Sequence, residues 1–128
     1  MSGPARAGLF IYAKESEHIA AFYEAVAGMQ KIHASDDLIV IESPDIQLLV
    51  HRIPEPIASR ITIDSPPVPR EDTALKFFFT VPSLAQARST AEHLGGEVFN
   101  ENWKGPGFLA CNAMDPEGNI FQVRENTV

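Results

Sequence analysis

The chain has 128 residues, 45% of them hydrophobic, and a formal net charge of −7. That much apolar content can bury a core, so a disordered chain is excluded, and the length suits one domain or two fused half-domains. The basic residues are scattered rather than grouped, which argues against nucleic acid or an anionic membrane as partner. Cys111 is the single cysteine, so no intrachain disulfide can form. A reducing, cytoplasmic setting is expected. No apolar run approaches the roughly 20 residues that span a bilayer. Met1 to Ala7 lacks the apolar centre of a leader peptide.

Gly8 to Ala13 reads as a strand whose two faces are both largely apolar. Leu9, Ile11 and Ala13 share one face; Gly8, Phe10 and Tyr12 share the other. Both faces should then be covered or line a cavity. A helix over Ser16 to Ala27 places Ile19, Phe22, Tyr23 and Val26 on one stripe, with Gly28 as its C-terminal cap. Phe22 and Tyr23 read as core. Gln30 to Ala34 and Leu38 to Glu42 form a hairpin about Ser35-Asp36-Asp37. After the turn Ser43-Pro44-Asp45, a strand over Ile46 to Arg52 turns Ile46, Leu48 and Val50 one way and Gln47, Leu49 and His51 the other. Residues 53 to 74 hold five of the ten prolines and read as a connector, with a short edge strand at Ile61 to Ile63.

The pattern then restarts. Ala74 to Val81 reads as a strand with Phe77, Phe79 and Val81 on one face and Lys76, Phe78 and Thr80 on the other. Ser83 and Gln86 make a capping box for a helix striped by Leu84, Ala87, Ala91 and Leu94, ended by Gly95-Gly96. Strands follow at Glu97 to Asn100 and Phe108 to Met114, with Trp103 to Gly107 as the loop between them. Asp115-Pro116-Glu117-Gly118-Asn119 is a tight turn feeding a last strand, Ile120 to Arg124. In that strand Phe121 and Val123 face one way, and Ile120, Gln122 and Arg124 the other.

The two halves therefore repeat one order: strand, helix, strand, strand, strand. Setting Val81 against Ala13 puts Gly96 against Gly28, fifteen residues on in both halves. At the other end Leu49 meets Gln122 and His51 meets Arg124. Identity between the halves is low, so the repeat is one of structure.

Paired βαβββ units, the Ala21-Phe22-Tyr23-Glu24 and Gly28-Met29 helix end, and Asp115-Pro116-Glu117-Gly118-Asn119 before the last strand together resemble the vicinal oxygen chelate superfamily. That group includes lactoylglutathione lyases, bleomycin-resistance proteins, fosfomycin-resistance enzymes and extradiol dioxygenases. The resemblance covers nearly the whole chain. It implies an α+β fold in which two βαβββ repeats, about 8–52 and 75–125, form a cup-shaped curved mixed sheet with helices outside. It also implies a ligand in the cup and a homodimer.

In metal-dependent members the ligands come from the first and last strand of each half. By this resemblance the positions here fall at Gly8, Leu49, Lys76 and Gln122. Glycine has no side chain, a protonated lysine no lone pair, and leucine no donor atom. Gln122 stands where such members usually carry Glu. His51 is the one rescue, two residues past Leu49 on the same face. No metal site and no cofactor are therefore expected.

The cup lining would be Phe10, Tyr12, Leu49, His51, Lys76, Phe78, Thr80, Gln122 and Arg124, an apolar surface with a few polar groups. Phe10, Tyr12 and Phe78 could stack a planar ligand, and Lys76 and Arg124 could hold a carboxylate or phosphate. Arg124 reads equally as a surface side chain paired with Glu125 or another nearby acid, and Lys76 as exposed. Trp103 either closes over the cup or packs at a dimer contact. A metal-independent small-molecule-binding protein is the leading expectation. The alternative is a lyase or dioxygenase-like enzyme that retains a divalent metal at an atypical site or uses His51 as base. A third reading is a non-catalytic assembly module.

Overall fold

The computed structural model describes residues 4–128; residues 1–3, the start of the N-terminal stretch read above for a leader, lie outside the described residues. The first half runs β1 (Gly8–Ala13), α1 (Ser16–Ala27), β2 (Gln30–Ala34), β3 (Leu38–Glu42) and β4 (Gln47–Arg52). A short helix, α2 (Glu55–Ala58), opens the connector. The second half runs β5 (Phe78–Thr80), α3 (Leu84–His93), β6 (Glu97–Gly105), β7 (Phe108–Met114) and β8 (Ile120–Asn126). Each half is a four-stranded mixed sheet, in the orders β1-β4-β3-β2 and β5-β8-β7-β6. In each, the first and last strands of the half pair in parallel. The fold is α+β with two βαβββ modules, as the sequence repeat implies.

Side-chain alternation decides which face is buried. Ile11, Ala13, Leu48 and Val50 in one module, and Phe79, Val81, Phe121 and Val123 in the other, pack under the helices in a single core. Tyr23 and Phe22 of α1 are fully buried, and both rings meet Phe121 of the second module, at 5.2 and 5.9 Å. The core reading of these two aromatics holds. Ser83 Oγ accepts from the Gln86 backbone N–H at 3.1 Å, the forward half of the expected capping box.

The Asp115–Asn119 turn does more than reverse the chain. Asp115 is fully buried, and its carboxylate accepts from Tyr23 Oη, the backbone N–H groups of Glu117 and Asn119, and Asn119 Nδ2. Burial raises the pKa of Asp115 despite those hydrogen bonds, and burial beside Asp115 raises that of Tyr23 well above its usual value. The Glu117 carboxylate takes the backbone N–H groups of Lys14 and Glu15, at 2.9 and 2.8 Å, just ahead of α1. A helix start whose own N-cap side chain makes no hydrogen bond is thus capped from the other module.

Four expectations are corrected. Ile61 to Ile63 is not a strand: the Ile61 N–H closes a turn onto Ala58 O, and its carbonyl takes Lys14 Nζ. The expected strand over Ala74 to Val81 shrinks to Phe78–Thr80. Phe78 pairs with Gln122, so residues before Lys76 would lie opposite the turn that precedes β8, where no strand exists to pair with. Trp103 is in a strand rather than a loop. The hairpin reverses over Pro106-Gly107 alone, and an irregularity between Val98 and Asn102 lets β6 run on to Gly105. Finally, the glycine equivalent to Gly28 is Gly95, not Gly96. Gly28 and Gly95 have φ of 67° and 90° and end their helices in the left-handed region.

Candidate functional site

The faces turned away from the helices carry the residues singled out for the cup, and the extended hairpin adds Trp103 to them, since it pairs with Ala110 and Ala110 with Arg124. In the first module Phe10 pairs with Leu49 and Tyr12 with His51. In the second, Phe78 pairs with Gln122 and Thr80 with Arg124. The two sets superpose as the sequence repeat implies, so His51 and Arg124 occupy corresponding places. These faces are open: Phe10, Tyr12 and Phe78 are 55%, 59% and 51% exposed. Of the two alternatives expected for the first strand, covered faces or a cavity lining, this side takes the second, since Phe10 and Tyr12 line a cavity.

On the first module Phe10 and Tyr12 stack along the strand, centroids 6.2 Å apart, and Tyr12 lies 5.6 Å from the His51 ring. His51 Nδ1 is 2.9 Å from the Arg52 carbonyl oxygen, where it donates when that nitrogen carries the proton. That tautomer leaves Nε2 as the basic nitrogen.

On the second module Arg124 is the organising side chain. Its guanidinium carbon lies 3.7 Å from the Phe78 ring centroid and 4.2 Å from that of Phe108. The rings come from β5 and β7, the strands on either side of β8. Arg124 Nε donates to Gln122 Oε1 at 2.8 Å. The alternative pairing with Glu125 does not form, because Glu125 accepts from the Leu84 N–H at the start of α3, at 2.7 Å. Lys76 Nζ donates to Asn112 Oδ1 at 3.2 Å, and Asn112 faces Gln122 across β7 and β8.

Phe108 and Asn112 are the site neighbours that sequence reasoning missed. Their signal was the alternation of the β7 strand, which puts Phe108, Ala110 and Asn112 on the face of Arg124 and Gln122. Gly105, opposite Phe108, makes room for that ring: a Cβ there would sit 2.1 Å from it.

Two cavities flank the connector limb before β5. One, of about 480 Å³, is lined by Lys76, Asn112, Phe99 and Ile120 with Arg70 and Leu75. The other, of about 280 Å³, takes in Phe10 and Tyr12, again with Arg70 and Leu75. The structure thus brings Lys76 to one cavity and Phe10 and Tyr12 to its neighbour. Leu49, His51, Gln122 and Arg124 lie outside both, on the open faces.

The four positions where the superfamily resemblance puts metal ligands do not make a ligand set. Gly8 offers no side chain, Leu49 is apolar, Lys76 donates to Asn112, and Gln122 Oε1 already accepts from Arg124. Among the described residues no three His, Cys, Asp or Glu side chains are gathered closely enough to hold an ion.

Two βαβββ modules, each with its helix on one side and an open face on the other, define a paired-module α+β protein of the cup-forming class. The chain belongs to the Glyoxalase-like domain family, whose profile it matches over residues 8–124, and so to the vicinal oxygen chelate superfamily. It is similar in fold to a glyoxalase/bleomycin resistance protein/dioxygenase family enzyme from Burkholderia phytofirmans PsJN. That match has 14% identity, a TM-score of 0.70, and covers 96% of this chain and 99% of the other. A lactoylglutathione lyase from Agrobacterium tumefaciens matches at 23% identity and TM-score 0.60, covering 98% and 97%. A fosfomycin resistance protein from Listeria monocytogenes matches at 13% identity and TM-score 0.65, covering 100% and 94%. No curated protein matches the chain significantly. Among the described residues no helix is long and apolar enough to cross a membrane.

Proposed function

We propose that the chain is a small-molecule-binding protein of its family that works without the catalytic metal of the metal-dependent members, in the cytoplasm. The observation that carries this reading is Gln122. The one side chain among the four ligand positions with a suitable donor atom has that atom engaged by Arg124, on a face lined by exposed aromatic rings. Such a face loses apolar area to a ligand at about 25 cal/mol per Å². Phe10, Tyr12, Leu49, His51, Lys76, Phe78, Thr80, Gln122, Arg124 and Trp103 are the residues offered for contact. A homodimer accompanies the reading, its second copy closing over faces that one chain leaves open. A second reading, an enzyme of the lyase or dioxygenase type, is favoured only by the free Nε2 of His51 as a base.

Chelator-treated protein, screened by thermal shift against aromatic metabolites, tests the proposal. At a hundredfold excess over Kd, a binder is expected to raise Tm by about 5–10 °C. No shift with any compound contradicts the proposal, as does a shift that needs added zinc, nickel, iron or manganese and disappears in His51→Ala.

A further inference from the structure

We infer that the second module's open face is a receptor for a flat aromatic carboxylate, with the two Nη groups of Arg124 as its anchor. The inference rests on the small-molecule reading above and narrows it to a ligand class.

The cation is held ready. Phe78 and Phe108 pack against the guanidinium from strands on opposite sides, and Gln122 Oε1 takes Nε. What remains is the edge formed by the two Nη groups, and neither has a protein partner among the described residues. Gly105 lacks the side chain that would displace Phe108, so the ring keeps its place beneath the cation. An arginine that loses little freedom on binding keeps more of the energy of each hydrogen bond.

Among the described residues no carboxylate pairs with it. Glu125, the adjacent carboxylate, is committed to the Leu84 N–H. A half-buried cation without a counter-charge attracts an anion more strongly than one in bulk water. The paired Nη groups match the two coplanar oxygens of a carboxylate.

The apolar part of the ligand has a place as well. Trp103 pairs with Ala110, and Ala110 pairs with Arg124, so Trp103 and Arg124 stand in one row across the sheet with the small Ala110 between them. Trp103 is 43% exposed and Phe78 51%, which leaves ring surface for stacking on either side of the anchor. The fold does not need this arrangement, since Phe121 and Val123 fill the core from the other face of the same strand.

A matched pair of probes, 2-naphthoate and the neutral 2-naphthamide, tests the inference by isothermal titration calorimetry on the full chain. Wild type is expected to bind the carboxylate about 10- to 100-fold tighter than the amide, the range of a charge-assisted bidentate contact. Arg124→Gln should abolish the preference, bringing carboxylate and amide to within about twofold of each other. Arg124→Lys, which keeps the charge and loses the fork, should fall between. Circular dichroism of both variants should match wild type, and Tm should fall by no more than a few degrees, because only the ring contacts and one hydrogen bond of a half-buried side chain are lost. Equal affinity of wild type for both probes overturns the carboxylate inference and leaves small-molecule binding standing. A preference kept in Arg124→Gln moves the anion elsewhere and overturns it likewise. No heat with either probe at millimolar concentration overturns it too, and the thermal-shift screen then judges the broader reading separately.

Discussion

Asp115→Ala is expected to lower stability by about 3–5 kcal/mol, out of the 5–15 kcal/mol typical of a domain this size. The substitution removes no catalytic group and little apolar area. It strands four donors around a fully buried position: Tyr23 Oη, the N–H groups of Glu117 and Asn119, and Asn119 Nδ2. Asp115→Asn keeps the shape but turns an amide NH₂ toward donors, so about 1–2 kcal/mol is expected. Urea denaturation gives both values from the midpoint at constant m. The same pair sets a pH dependence. The folded pKa of Tyr23 lies well above that of the unfolded chain, near 10. The native state therefore holds its proton where the unfolded chain releases it. The stability this confers is fully present below about pH 10 and falls as pH rises beyond it. Asp115, raised as well, contributes most in acid, and that contribution fades as pH climbs through its folded value. Tyr23→Phe should flatten the alkaline loss.

Gly96→Ala is the second large effect, at about 3 kcal/mol. A Cβ at Gly96 would stand 2.4 Å from the Met114 carbonyl oxygen and 2.4 Å from Phe22 Cε1. The carbonyl belongs to β7 and cannot swing aside, and the ring is wedged between α1 and Phe121. Gly28→Ala is the matched control. Nothing lies within 4 Å of a Cβ there, so only its left-handed backbone resists, at about 1 kcal/mol. Chemical denaturation of the two variants should separate them clearly.

That contrast shows what the sequence alone left hidden. Aligning the halves on apolar residues equated Gly96 with Gly28. The two glycines are needed for different reasons, one for space between modules and one for backbone conformation. Strand faces were legible because alternation is a local property. Phe10, Tyr12, Phe78, Gln122 and Arg124 all stand on the open faces where the pattern puts them. What was not legible depends on contacts distant in sequence. Asp115 meets Tyr23 across 92 positions and Glu117 meets Lys14 across 103, so the turn read as a local reversal without its role as a clamp. The setting of Arg124 was hidden for a nearer reason. Taking Trp103 to Gly107 as a loop concealed the pairings of Gly105 with Phe108 and of Trp103 with Ala110. Those pairings put one ring beneath the guanidinium and another in its row.

Binding on the open faces is expected to need no metal. The decisive measurement titrates 2-naphthoate into protein stripped with a chelator, and into the same protein resupplied with zinc, nickel, ferrous iron or manganese. One Kd is expected, the same within about twofold in every preparation and weakened about 10- to 100-fold by Arg124→Gln. Binding that appears only in a metal-loaded sample, and vanishes with His51→Ala while Arg124→Gln retains it, would contradict that expectation.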